Sequence, residues 1–375
     1  MVKNSQRHIR APCKNLSNPT DCKLNSVFFF FGSLFLFASQ QKEKVNKGSI
    51  TYIMYLCYDS CVMREIENVL ICGIGAVGSI YADKIHKFSP NNLRILVDEK
   101  RFERYSKAPV VFNGCELYLN YVLPENKDDF KADLIIIATK YDGLSDAVKN
   151  IKNYVKNDTV ILSLLNGVTS ERIIADVYGW DKLLLSYFIG HSAMRDGRYI
   201  TQDGVGKIVF GAKDSDKSNE IRVKRFFDSV GIDYEIPEDM VHALWLKYMM
   251  NVSTNQPSAI LRMTFGEMNA NPKFIDFSKK LMKEVQMVAE AEGVKNTDTM
   301  IDSALLAISK MIPEGKTSMY QDVLAGRKTE VDMFAGTMIE LGKKHNIPVP
   351  YNEFMYEMFG IIYKNFELQK TSIVK

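Results

Sequence analysis

The sequence predicts an α/β fold in two parts, a doubly wound parallel sheet followed by an all-helical region. Three observations carry that prediction. Short apolar runs, NVLIC at 68–72, LIIIA at 134–138 and VILSLL at 160–165, recur between stretches of helical character, as buried parallel strands do. The first run leads directly into Gly73-Ile-Gly75-Ala-Val-Gly78, a glycine-rich turn that opens a helix. From Asp239 onward β-branched runs become scarce and apolar residues recur at spacings of three and four, the period of a packed helix.

The 375 residues suffice for two domains and a substantial core. With 46% hydrophobic and 25% charged residues, the composition is that of an ordinary globular protein. The net charge of +3 is unevenly spread: residues 1–62 hold eight Lys or Arg against three Asp or Glu, a net of +5, which leaves −2 for the remainder. A mildly acidic body gives no reason to expect a nucleic-acid partner.

The first 62 residues differ in character from the rest. Basic residues (Lys3, Arg7, Arg10, Lys14, Lys23) precede a twelve-residue apolar run, Val27 to Ala38, too short to span a bilayer as a helix. The layout imitates a signal peptide but lacks a small-x-small cleavage site. Three readings stand: an export or membrane-attachment signal, a disordered leader, or translated upstream sequence that the working protein lacks. The last is favoured, because Met63 starts MREIENVLICGIGAVG where a nucleotide-binding domain normally begins. Cys13, Cys22, Cys57 and Cys61 lie in this leader without forming a convincing metal site. Only Cys72 and Cys115 remain for the body, which suits a reducing, cytoplasmic compartment.

In chain order, the strand at 68–72 and a helix from Ala76 to His86 enclose the glycine turn. Gly73 permits the tight turn, Gly75 lets backbone approach a pyrophosphate, and Gly78 allows close helix–strand packing. The phosphates would rest on free N–H groups at the helix start, so Ile74, Ala76 and Val77 join the glycines as cofactor-binding candidates. This is the arrangement of a Rossmann dinucleotide-binding domain. The strand Leu93 to Val97 ends in Asp98, twenty residues after Gly78, where an acidic residue takes the ribose 2′-hydroxyl of NAD. Lys100 and Arg101 beside it suit the 2′-phosphate of NADP, so these residues leave both cofactors open.

Val110 to Leu123 holds strands around the turn at Asn113-Gly114. Lys140 follows LIIIA at the carboxyl end of a strand, the edge at which parallel sheets bind ligands. A helix from Leu144 to Val155 precedes the strand at 160–165, which ends in Asn166-Gly167, where a carboxamide can reach nicotinamide or substrate. After the strand Leu183 to Ile189, His191 is read as structural rather than as an acid or base.

Near Glu235 to Pro237 the character changes. Helices are predicted over Met240 to Asn255, Phe274 to Glu292, Met300 to Met311 and Lys328 to His345. A loop at Asn346 to Pro350 precedes a last helix, Asn352 to Phe366. The first helix carries the most suggestive stretch, WLKYMMNVSTN, with Lys247, Asn251 and Asn255 at i, i+4 and i+8 along one face. One ammonium and two carboxamides among Tyr248, Met249, Met250 and Val252 suit a small anionic, oxygen-rich ligand. Asp322 is read as a helix cap, a local role also open to Ser318. Glu330 opens a helix, where its charge suits the dipole.

Four stretches, GIGAVG at 73–78, LNGV at 165–168, WLKYMMNVSTN at 245–255 and SMYQDVLAGRKTEVD at 318–332, together resemble the ketopantoate reductase family in order and spacing. The resemblance runs from about Met63 to the C-terminal region. It implies a Rossmann domain over 63–237 that binds NADPH and a helical substrate and catalytic domain over 238–375, with 1–62 outside the folded enzyme. It further implies that Gly73, Gly75 and Gly78 hold the pyrophosphate and that Lys140, Asn166 and Ala193 contact the cofactor. Lys247 matches the lysine that protonates the ketone as hydride arrives. Asn251, Asn255 and Ser318 match substrate-binding positions, with Asn166 beside them, and Glu330 matches the active-site acid, close to cofactor as well.

The implied reaction is NADPH-dependent reduction of 2-dehydropantoate (ketopantoate) to (R)-pantoate, a step towards pantothenate and coenzyme A, in the cytoplasm. NAD stays open as cofactor because of Asp98, and a homodimer is compatible with the chain. No metal and no membrane contact are expected for 63–375. Three positions depart from the family pattern. An additional substrate-binding asparagine falls on Thr264 or Phe265, another falls near Gly315, and Asp98 stands where the best-known members carry arginine. The alternatives are a related reductase of another 2-oxo acid, a dinucleotide-sensing protein without catalysis, and a membrane-attached protein resting on Val27 to Ala38 alone.

Overall fold

The computed structural model describes residues 64–373, apart from Asn126, His191, Val205 and Ser215. The readings of the leader and of His191 lie outside the described residues.

The strands are β1 (Val69–Cys72), β2 (Leu93–Leu96), β3 (Val110–Phe112), β4 (Cys115–Leu117), β5 (Tyr121–Val122), β6 (Leu134–Ile137), β7 (Val160–Ser163), β8 (Leu183–Ile189), β9 (Ser192–Asp196), β10 (Tyr199–Asp203), β11 (Lys207–Gly211) and β12 (Tyr234–Glu235). The main sheet runs β12-β11-β8-β7-β6-β1-β2-β5. From β5 to β8 every pairing is parallel, and β11 then joins β8 antiparallel. The chain starts mid-sheet at β1, winds to one edge through β2 and β5, and returns to wind outward from β6. The reversal between β1 and β6 opens a crevice at the carboxyl ends of both strands, the usual ligand site of such sheets.

Every residue of β1, β6 and β7 is buried, which explains why these strands read as unbroken apolar runs. One face packs with Ile80, Ile85 and Phe227, the other with Leu144, Ile151 and Ile174. The predicted strands between 110 and 123 divide between two sheets. β5 edges the main sheet, whereas β3 and β4 join a small sheet in the order β4-β3-β10-β9. The sequence predicts no strand at β9 or β10. They form a local antiparallel hairpin, but β10 joins the sheet through a non-local pairing with β3, Tyr199 opposite Val111, and both strands pack on the helix Ala76–Phe88.

The helical part is built around Met240–Leu261, which runs past the predicted end at Asn255 and contains Pro257. Proline lacks an N–H, so the carbonyl four residues earlier loses its partner. Here that carbonyl, on Ser253, accepts the Ser278 hydroxyl at 3.0 Å from the neighbouring helix Pro272–Ala291. A tertiary contact therefore lets the helix continue.

The predicted helix from Lys328 begins later and differently. Asp332–Gly336 form a π turn, closed by Gly336 N–H to Val331 O at 3.0 Å, before the helix Thr337–His345. The central helix grips this turn twice. Tyr248 Oη donates to Phe334 O at 2.8 Å, and Gln256 Oε1 accepts from Ala335 N–H at 3.2 Å. Gln256 is itself held by Asn352, which Glu284 anchors through two further bonds. The capping prediction is also corrected. Thr317 is the N-cap of Ser318–Leu324, so Ser318 is its first residue and Asp322 lies inside the helix.

Leu185 and Val209 of the sheet pack with Met240 and Leu244, which joins the two parts through an apolar seam. Among the described residues no helix is long and apolar enough to cross a membrane.

Candidate active site

The sheet side of the crevice is shaped by backbone. A Cβ on Gly73 would lie 2.7 Å from the Ala138 carbonyl group, and one on Gly78 only 1.9 Å from Gly73 O. β1, its following helix and β6 thus approach more closely than any side chain permits. Gly75 differs, for the nearest atom to its Cβ position is 4.0 Å away, so the turn is open there. Gly75 is also the N-cap of the helix, with no side-chain cap and no acidic residue in the first turn. Free N–H groups at an uncapped helix start fit a pyrophosphate. The Thr139 hydroxyl, beside this turn at the end of β6, is enclosed without a hydrogen-bond partner. These features fit the phosphate-bearing half of a dinucleotide.

The helical side is shaped by side chains. Lys247, Asn251 and Asn255 do line one face of the central helix, with both asparagines buried and Lys247 half-buried. Asn251 Nδ2 lies 3.5 Å from Asn166 Oδ1, and Asn166 Nδ2 donates to Glu330 Oε2 at 2.9 Å. Three segments, the β7 terminus, the central helix and the residues before the π turn, therefore meet at Asn166. Asn255 Nδ2 approaches Ser318 Oγ at 3.4 Å, which brings the fourth predicted substrate residue to the same face.

Gly167, with φ of +94°, lets Asn166 take this position, and a Cβ there would strike Met333 Cγ at 2.8 Å. Met333 belongs to the π turn, so the turn's geometry and the placement of Glu330 are one structural problem. Such π turns inside helices are frequent at functional sites.

Electrostatics separate Lys247 from Glu330. Burial of the ammonium holds the Lys247 pKa below the ordinary lysine range, and Glu330 opposes that shift. No carboxylate among the described residues forms an ion pair with Lys247. Burial pushes the Glu330 pKa up, while the Asn166 hydrogen bond and the Lys140 and Lys247 charges pull it down. The arrangement leaves an ammonium free to donate, with a carboxyl near enough to feel its charge.

Lys140 is exposed at the end of β6, with its ammonium 3.9 Å from Asp322 Oδ1. Asp322 also accepts from Arg327 Nε at 2.7 Å. This buried aspartate ties the 325–330 segment to its helix while facing Lys140, a role the capping reading missed. Its signal was available only in space, since nothing local distinguishes it from a cap. A cleft of about 170 Å3 between Lys140, Tyr141, Lys328, Glu330 and Met333 opens onto this cluster. A larger hollow of about 470 Å3 lies near Arg94, Phe102 and Leu119, away from these groups.

Asp98 is placed at the end of β2 as expected but is already engaged. Its Oδ1 caps the next helix by accepting Arg101 N–H at 2.7 Å, and its Oδ2 takes the Arg101 guanidinium. Lys100 is exposed in the first turn, and Ala193 lies half-buried in β9 against the sheet core. Among the described residues, no cluster of His, Cys, Asp and Glu is arranged to hold a metal.

Comparison with known proteins matches residues 69–215 to the family described as ketopantoate reductase PanE/ApbA, and residues 239–362 to its C-terminal domain. The chain belongs to the ketopantoate reductase family. It is 25% identical over 293 residues to the 2-dehydropantoate 2-reductase of Pyrococcus horikoshii, covering 78% of this chain and 96% of that protein. Among solved structures, D-mandelate dehydrogenase with NADH and anilino(oxo)acetate superposes with a TM-score of 0.72 at 22% identity, covering 80% of this chain and 99% of the other. The dimeric ketopantoate reductase from Staphylococcus aureus gives 0.64 at 21% identity, covering 80% and 99%. These two likenesses concern the fold.

Two departures from the ketopantoate reductase pattern meet in space. Phe265 N–H donates to Gly315 O at 3.0 Å, and a Cβ on Gly315 would lie 3.2 Å from the Phe265 ring. Thr264 is occupied as the N-cap of the short helix Phe265–Ala270, in a capping box with Glu267. The segment then leads to Thr317, whose Oγ1 is 2.8 Å from Ser258 Oγ, one turn from Asn255.

Proposed function

We propose that this oxidoreductase reduces 2-dehydropantoate to (R)-pantoate, with NADPH as reductant. The observation that carries this reading is the free, half-buried ammonium of Lys247 on the face that holds Asn251 and Asn255, with Asn251 linked through Asn166 to Glu330. The bound dinucleotide would supply hydride, with its pyrophosphate at Gly73 to Gly78 and Asn166, Ala193, Lys140 and Glu330 along its length.

Lys247 then does the remaining chemistry. As hydride reaches the carbonyl carbon of a 2-oxo acid, negative charge grows on its oxygen, and a positioned ammonium both stabilises that charge and donates the proton. A lowered pKa makes this donation easier. Asn251, Asn255 and Ser318 hold the substrate's carboxylate and hydroxyl oxygens by hydrogen bonds, and the apolar residues around them exclude water. Glu330, fixed by Asn166, keeps Lys247 protonated through its charge without tying it in an ion pair.

A second reading is favoured by the Phe265–Gly315 contact. It sets an aromatic ring against Gly315, three residues before Ser318, which suits another 2-oxo acid. A sensor without catalysis needs neither Lys247 nor Glu330. We place the reductase in the cytoplasm, where its cofactor is available, and infer a homodimer from the assembly named for the Staphylococcus aureus protein.

The test is steady-state oxidation of NADPH and NADH by the full chain, with and without ketopantoate. Ketopantoate-dependent turnover with NADPH is the expected result. Turnover with NADH alone would keep the reaction and assign the ribose to Asp98. Dinucleotide binding without ketopantoate turnover, but with turnover of another acid in a 2-oxo acid panel, would establish the second reading.

A further inference from the structure

The glycine turn supplies only neutral N–H groups to a ligand that brings two negative charges at its pyrophosphate. The cations already noted around the sheet side are spoken for or remote: Arg101 is bound by Asp98, and Lys140 faces Asp322 across the crevice. Arg195 is different. It rises from β9, two residues after Ala193 and so on the same face of that strand. Its guanidinium reaches the glycine turn itself and donates to the carbonyl of Ile74, between Gly73 and Gly75. It also donates to Tyr105 Oη at 2.8 Å and, through Nε, to Gly197 O at 2.9 Å.

All three of these acceptors are neutral, and no carboxylate among the described residues is within ion-pair distance of Arg195. A half-buried guanidinium held only by neutral acceptors keeps its charge available to an incoming anion. The planar fork matches phosphate oxygens, and the Ile74 carbonyl keeps it at the turn meanwhile. The strand β9, which the sequence does not predict, would thereby contribute to the cofactor site.

We propose that Arg195 is a dinucleotide-binding residue that supplies the counter-charge for the cofactor's pyrophosphate at the glycine turn. The inference rests on the dinucleotide reading above and deepens it.

Equilibrium titration of the full chain with NADPH, without substrate, tests it. Arg195→Gln retains hydrogen-bond donors but not charge. Its dissociation constant should rise about tenfold to a hundredfold, as expected for a lost charge-assisted hydrogen bond. Added salt should weaken wild-type binding more steeply than binding by the variant, because salt screens the removed charge. An unchanged dissociation constant, or a weakened one with the wild-type salt dependence, would overturn the proposal. Should Arg195→Gln fail to fold, Arg195→Lys decides. Retention of binding within about tenfold supports a charge role, and a loss approaching about a hundredfold overturns it. A wild-type chain that binds neither NADPH nor NADH would instead defeat the dinucleotide reading itself, and this inference with it.

Discussion

The two walls of the crevice are built on opposite principles. On the sheet side, six consecutive residues form a cradle of main-chain groups, and glycines matter for the side chains they lack. On the helical side, the surface is made of side chains brought from far apart: Asn166 meets Asn251 across 85 positions and Glu330 across 164. A backbone cradle is specified locally and tolerates almost no added atom. A side-chain cluster is specified by packing, so its members can be exchanged singly, each with its own effect. On the proposed function, cofactor binding and substrate chemistry should thus be separable by mutation.

Lys247→Ala should expose that separation most strongly. Turnover should fall by about 10²–10⁴-fold, the usual contribution of a positioned proton donor, while dinucleotide affinity stays close to wild type. Parallel loss of both would show that the walls are coupled.

Glu171 offers the next largest effect, as a side-chain exception on the sheet side. It is buried in the helix after the Asn166-Gly167 turn, in a chain from Ser163 Oγ to Ser170 Oγ to Glu171 Oε2, with both links at 2.9 Å. Burial pushes its pKa up from 4.5 to about 7. The folded state therefore holds the proton more tightly than the unfolded state does. Stability from this group is full below 4.5 and is lost as pH rises through about 7. The loss is on the order of 3 kcal/mol, and Glu171→Gln should remove it. Urea unfolding at pH 5 and pH 8 should show the variant gaining on wild type only at the higher pH. An equal difference at both values would rule this out.

Gly78→Ala probes the cradle's intolerance. Its Cβ would overlap Gly73 O, so stability should fall by about 1–3 kcal/mol, as for overpacked sites, and dinucleotide binding should fall with it. A fully stable variant with intact binding would mean that the turn can move.

On the helical wall, Ser278→Ala removes the hydroxyl that serves the Ser253 carbonyl. The expected cost is about 1 kcal/mol, and less when Pro257→Ala restores the helical N–H to that carbonyl. Additive costs in the double variant would show that the hydroxyl does not compensate for the proline. Finally, the lowered Lys247 pKa should place the alkaline limb of the kcat/KM profile below the ordinary lysine range. Glu330→Gln, which removes the charge that favours ammonium, should move that limb lower still. A limb that stays in place would separate Glu330 from Lys247.

The sequence by itself determined much of this protein. The buried strands, the glycine turn, the stripe of Lys247, Asn251 and Asn255, and the change to helices near Asp239 all follow from periodicities of a few residues. These are set by burial and backbone sterics, which act over short distances along the chain. Tertiary structure alone decided the rest. It divided the strands between 110 and 123 into two sheets, because edge pairing depends on partners about ninety residues away. It carried the central helix through Pro257, where the Ser278 hydroxyl serves the carbonyl that the proline leaves without its helical N–H. It replaced a regular helix with the π turn after Glu330, because Tyr248 and Gln256 hold that backbone in place. It moved Asp322 from a cap to a buried partner of Arg327 and Lys140, and it brought Arg195 to the glycine turn. In each case a polar group found its partner across space, and hydrogen-bond satisfaction in a packed interior depends on the whole fold.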